Sequence, residues 1–342
     1  MNFSKLTLLS LISISTAAPA LACDSCGCYT PTLEVTHEKP WGFYAGASEQ
    51  FTHFGTDRQD GSKVGNPTGQ YLDSSNTQIV VGATFFDNRF GLQLNVPLIY
   101  RSYKRPVGFD IQRGTVSGVG DVSLLANFVV LRKEALFRET GGGLSKDGKT
   151  TLPVARGEPD FSATLNLSAG LKFPTGDSSR IKEEFNETEV EGAPESGIHG
   201  HDLALGTGST DGVFGAQFFA RYKAVFLQAD AQFTWRGQGR YSYLYANDFS
   251  WSGGPGVYLF RRGANSLGLQ CALSGETKGT DTFLSESAAD TGVTSLYIGP
   301  RVIASFGRVA GEIGVDLPVL MNTTSFQTTP DYRIRAGLTI RF

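Results

Sequence analysis

Residues 332–342 read Tyr332-Arg333-Ile334-Arg335-Ala336-Gly337-Leu338-Thr339-Ile340-Arg341-Phe342. The even positions carry Tyr332, Ile334, Ala336, Leu338, Ile340 and Phe342, and the odd ones Arg333, Arg335, Thr339 and Arg341. Successive side chains of a β-strand point to opposite faces, so a period of two marks a strand with one apolar and one charged face. The apolar face needs an apolar neighbour, and the three guanidinium groups need a polar one.

The same alternation recurs outward from this stretch, at 79–85, 90–98, 122–130, 161–173, 214–222, 225–235, 251–259, 267–273, 296–306 and 309–317. With a first strand at 41–54, the count is about twelve. The expected fold is therefore all-β, a transmembrane barrel of about twelve antiparallel strands. An even count suits closure, and the strand lengths approach the roughly 9–11 residues that cross a bilayer when tilted. A soluble sandwich also alternates, but its strands usually run about 5–6 residues. In the barrel reading the polar faces line the lumen, with Lys172, Arg221, Gln228, Asp230, Gln232, Arg301, Glu312, Asp316, Arg333, Arg335 and Arg341 as the lining residues. Ion pairs are expected to cross it, with Asp230, Glu312 and Asp316 as partners of the arginines. A chain ending on an aromatic residue after such a strand resembles the closing strand of bacterial outer-membrane barrels. That resemblance implies outer-membrane lipid and the barrel assembly machinery as partners.

Composition agrees. The 342 residues include 42 Gly, 24 Phe and 12 Tyr but only 2 Met, as tightly turned, membrane-facing strands require. A mean hydropathy of −0.13 does not discriminate, because alternating strands hide their apolar half. The 33 acidic and 30 basic residues nearly cancel, and no basic run points to nucleic acid. Lys5, the apolar run 6–14 and Ala20-Leu21-Ala22 follow the order of a secretory signal peptide, expected to span 1–22. Residues 23–40 then form a Cys-containing periplasmic segment and 41–342 the barrel. Connections at 87–88 and 306–308 are short and expected at the periplasm. Long polar ones at 55–70, 104–118, 132–160, 177–211, 237–247 and 275–292 are expected outside. Tyr100, Tyr103, Trp235, Tyr241, Tyr243, Tyr245 and Trp251 suit an interfacial aromatic girdle.

Cys23, Cys26 and Cys28 fall within six residues. Three readings stay open: a disulfide formed in an oxidising compartment, soft thiolate ligation of a metal or cluster, and acylation of Cys23. His199, His201 and Asp202, in a long acidic loop, have the residue types to hold a divalent ion, although a solvated exterior loop accounts for them too. A hydrolase needs a Ser–His pair oriented by a third group. The four histidines, His37, His53, His199 and His201, fall in the amino-terminal segment, at a strand end or in a loop. No catalytic residue and no cofactor is therefore expected.

Three further stretches open or close strands: Gly118-Val119-Gly120-Asp121, Leu171-Lys172-Phe173-Pro174-Thr175-Gly176-Asp177 and Gly206-Thr207-Gly208-Ser209-Thr210-Asp211. Each is good turn and strand-end chemistry. In order and context they resemble the outer-membrane transporters named for the meta-cleavage pathway of phenol degradation, over roughly 41–342. That family is similar in architecture to fatty-acid channels of the outer membrane. The resemblance implies a channel or transporter for small hydrophobic or aromatic compounds. Two other readings remain, a barrel that docks periplasmic electron-transfer or metal-handling partners through its Cys segment, and an outer-membrane hydrolase.

Overall fold

The computed structural model describes residues 42–135, 160–186 and 190–342. The expected signal peptide, the 23–40 segment and Trp41 lie outside the described residues. The strands are β1 (Gly42–Gln59), β2 (Ser62–Lys63), β3 (Tyr71–Phe85), β4 (Phe90–Val107), β5 (Asp110–Val119), β6 (Ser123–Ala135), β7 (Phe161–Lys172), β8 (Asp211–Tyr222) and β9 (Val225–Trp235). They continue with β10 (Tyr243–Leu244), β11 (Asp248–Arg262), β12 (Asn265–Lys278), β13 (Asp281–Phe283), β14 (Glu286–Ala288), β15 (Val293–Phe306), β16 (Val309–Thr323) and β17 (Phe326–Arg341). A 3-10 helix (Ser179–Phe185) and one α-helical turn, α1 (Gly200–Leu203), sit between β7 and β8.

Each long strand pairs antiparallel with the next, in the order β1-β3-β4-β6-β7-β8-β9-β11-β12-β15-β16-β17. β17 returns to β1, from Tyr44↔Arg341 to Gln59↔Phe326. Among the described residues, twelve strands thus close a barrel and leave no edge in the ring. The alternation read from the sequence sorts by face. Leu94, Leu167, Leu227, Ile313 and Leu338 are exposed, whereas Gln93, Asn95, Gln270, Arg301, Asp316 and Arg333 are buried. Apolar groups on the outside and buried charges within are the reverse of a soluble sandwich, and they require lipid around the wall. The protein is a bacterial outer-membrane β-barrel.

β8–β9, β11–β12 and β15–β16 are joined by two-residue turns, after Tyr222↔Val225, Arg262↔Asn265 and Phe306↔Val309. By their shortness these mark the periplasmic end. Ala135 pairs with Phe161 at this same end, so the connection expected outside at 132–160 leaves and rejoins the wall at the periplasmic end. Length alone had placed it, and strand parity overrules length. The stretch 104–118 is likewise not a loop. β4 runs on to Val107 and turns back into β5, Val107↔Asp110 to Leu98↔Val119, while the lower half of β4 pairs with β6. β5 and β6 are therefore one strand, broken at Gly120-Asp121-Val122.

The wall is uneven. β1 and β4 have 18 residues each, whereas β9 has 11 and β7 and β8 have 12. A tilted crossing takes roughly 9–11 residues, so β1, β3, β4 and β5 stand above the outer interface while β7–β9 end near it. The aromatic girdle divides accordingly. Tyr100, Trp235 and Trp251 are exposed on the outer face, but Tyr103, Tyr243 and Tyr245 are buried and belong to the closure of the mouth.

Candidate functional site: a strap across the outer mouth

β7 ends at Lys172 on the low side of the wall, and the chain returns only at Asp211. Two contacts show that the 173–210 connection, the strap, crosses the whole opening between them. The Thr328 N–H of β17 donates to the Gly197 carbonyl oxygen at 3.0 Å, and the Gly197 N–H donates to Gln70 Oε1 at 3.0 Å. β17 stands half-way round the ring from β8. A Cβ at Gly197 would overlap the Thr328 backbone, so the close approach requires glycine.

The strap turns its apolar side chains down onto the tall wall. Ile198 and Leu203 pack with Phe54, Leu72 and Tyr103, and Val116 adds to the cluster. Ile181 and Ala204 pack with Tyr243 and Tyr245, and with Tyr241 and Phe283, from the β9–β11 and β12–β15 connections. Polar anchors fix the height. Arg101 donates to the carbonyl oxygens of Asp202 (2.6 Å) and Ala204 (2.5 Å). Arg105 reaches the Ile198 carbonyl (3.2 Å) and Glu183 (2.5 Å). Both arginines continue the inward face of β4 that begins at Gln93 and Asn95. Neither is among the lining residues expected from the sequence, because the expected strand ends at Leu98, short of Arg101, and 104–118, with Arg105, is expected as a loop.

The strap's two ends are held by the three motifs. Asp121, in the break between β5 and β6, accepts from the N–H groups of Gly176 (3.0 Å) and Thr207 (2.8 Å) and from the Thr207 hydroxyl (2.9 Å). Lys172 bridges Asp121 (3.3 Å) and Asp211 (2.7 Å). Asp211 also pairs with Arg236 at 3.0 Å, and Arg236 with Asp248. A Cβ at Gly206 would overlap the Asp121 carboxylate. Residues far apart in sequence thus converge on one buried charge chain at the foot of the strap.

Below the strap, the arginines of β15 and β17 meet acidic neighbours. Arg335 lies 3.1 Å from Asp316, Arg301 3.6 Å from Glu312 and Arg333 2.8 Å from Glu276. Arg333 also sits 3.7 Å above the Tyr297 ring. Glu276 was missed because the reading of its strand stopped at Leu273, although the alternation of Gln270, Ser274 and Glu276 continues it. Asp230 accepts from Gln228 at 3.2 Å. Arg221 donates to the Lys223 carbonyl at 3.1 Å near the periplasmic turn. Gln232 and Arg341 are half-buried, on β9 and β17.

His199, His201 and Asp202 come together in the strap, with one ligand atom from each within 4.8 Å of the others. His201 is buried, its Nδ1 2.9 Å from Glu184 and its Nε2 3.5 Å from Asp202. Burial opposes its charge, but Asp202 and Glu184 outweigh burial and hold the imidazole well above its usual range. Burial likewise raises Asp290, yet its bond to His199 prevails and keeps that carboxyl below the usual range. Burial pushes Tyr243 well above its ordinary value, and Asp281 adds to the rise.

His53 lies within β1, paired with Asp73 and Tyr332, rather than at a strand end. Its Nδ1 is 2.6 Å from Asp73 and its Nε2 3.8 Å from Asp331. Cys23, Cys26 and Cys28 lie outside the described residues. Cys271 is exposed on the outer wall.

Comparison with solved structures fits this geometry. The chain is similar to the COG4313 outer membrane channel from Pseudomonas putida F1, at TM-score 0.58 and 13% identity, over 92% of this chain and 100% of that one. The fold is shared with an outer-membrane channel. Looser likenesses are a Pseudomonas aeruginosa FadL homologue (TM-score 0.36, 10% identity, over 88% of this chain and 89% of that one) and the CymD monoaromatic hydrocarbon channel (TM-score 0.33, 8% identity, over 88% of each chain). No family model matches the chain, and no curated protein matches it.

Proposed function

We propose that the protein is an outer-membrane channel for small hydrophobic or aromatic compounds, gated by the strap. The observation that carries this reading is the strap's course, a folded segment spanning the mouth and resting on apolar and aromatic groups. A strap held by a few hydrogen bonds and two small clusters opens at lower cost than the barrel itself, as gating elements generally do. Lifted from the wall, it exposes Phe54, Tyr103, Ile198 and Leu203 to an apolar solute, while the paired charges of Arg333, Arg335, Glu276 and Asp316 below narrow the route and tune which ions pass. The COG4313 channel, a barrel of similar fold, adds support. Liposomes carrying the purified barrel test the reading, with uptake of a monoaromatic compound, a fatty acid and a sugar compared. Faster entry of the aromatic compound than through protein-free bilayers, with sugar excluded, is the expected result. Equal sugar and aromatic permeation would overturn it.

A further inference from the structure

We infer that His199, His201 and Asp202, completed by Asp290, form a binding site for a divalent transition-metal ion of the Zn²⁺ kind. Two imidazoles and two carboxylates are the donors such an ion takes. Their placement also matches what a metal asks of its surroundings. A ligating histidine holds its second ring nitrogen against a carboxylate or a carbonyl, which fixes the tautomer and aims the first. His201 places Nδ1 2.9 Å from Glu184, leaving Nε2 toward Asp202. His199 places Nε2 2.7 Å from the Ser196 carbonyl oxygen, leaving Nδ1 toward Asp290. Each ring is thus oriented on one side and faces a carboxylate on the other.

Local structure keeps the donors together. Asp202 Oδ2 accepts the His199 N–H at 3.0 Å, closing the single turn α1, so His199 and Asp202 are fixed relative to each other. The donor atoms of His199, His201 and Asp202 lie within 4.8 Å of one another. Tetrahedral Zn²⁺, with bonds of about 2.0–2.2 Å, needs neighbouring donors about 3.4 Å apart. Side-chain rotation covers that contraction for these three, and Asp290, which touches His199 but lies outside their group, has farther to turn. Asp290 comes from a different connection, so a bound ion would staple the strap to the segment between β14 and β15 and hold the mouth shut. That consequence rests on the gating proposed above, whereas the site itself does not.

Full-length protein in detergent, stripped with chelator and titrated with Zn²⁺, tests the site by calorimetry and X-ray absorption. One ion per chain with two imidazoles and oxygen ligands is expected. Glu184→Gln, which removes an orienting partner only, should weaken binding about 10–100-fold. His199→Gln with His201→Gln should abolish it while the barrel still shifts on heating in gels. No binding, binding through sulfur alone, or undiminished binding in the double variant would overturn the inference. Zn²⁺ bound as expected in a protein that admits no aromatic solute would leave the site standing and refute only the transport reading.

Discussion

Asp211 shows what one residue contributes. It is fully buried and shared between Lys172 and Arg236. Removing one member of such a group leaves buried charge uncompensated, at a cost of about 3–5 kcal/mol. Asp211→Asn should therefore lower the urea midpoint of the folded barrel by an amount of that order, read from heat-modifiable migration. A change under about 1 kcal/mol would mean that Lys172 and Arg236 find other partners. The sequence made the polar character of Lys172, Arg301, Arg333 and Arg335 plain, because alternation assigns a face residue by residue. It did not reveal that Asp121, Gly176, Thr207 and Asp211 meet. Each motif reads locally as a turn, and their meeting depends on how far the strap travels before it returns.

At the scale of elements, the strands were legible and the strap was not. Lipid outside and charge inside impose a period of two on every crossing, and that signal survives in single strands such as 309–317 and 332–342. A connection has no period, and its path is set by contacts such as Gly197 with Thr328. For this reason the ends of the connection at 132–160 lie opposite to where they were expected, and Tyr243 and Tyr245 are buried rather than in the girdle. Gly197→Val tests the path. The added side chain would overlap Thr328 and lift the strap from β17 without touching a barrel strand's own ladder. Unchanged heat stability with open-channel events several-fold more frequent is the expected outcome in planar bilayers. Unchanged channel recordings would place the strap's hold elsewhere.

For the whole molecule, the proposed channel has a charged lumen beneath a removable cover, and each part should have its own electrical signature. Neutralising Arg333 and Arg335 together removes two positive charges beside Glu276 and Asp316. Reversal potentials under a salt gradient should shift toward cation selectivity, because lumen charges tune selectivity. An unshifted potential in a folded variant would remove these residues from the route. The cover can be taken away cleanly, since Leu205 N–H donates to the Asp177 carbonyl at 2.9 Å and a short Gly-Ser linker can replace 179–203 without stretching the chain. Single-channel conductance of that shortened protein, beside the full chain, is the most direct measurement of the gate. A steady conductance well above the full chain's mostly closed level is what the strap's course predicts, and identical low conductance in both proteins would contradict it.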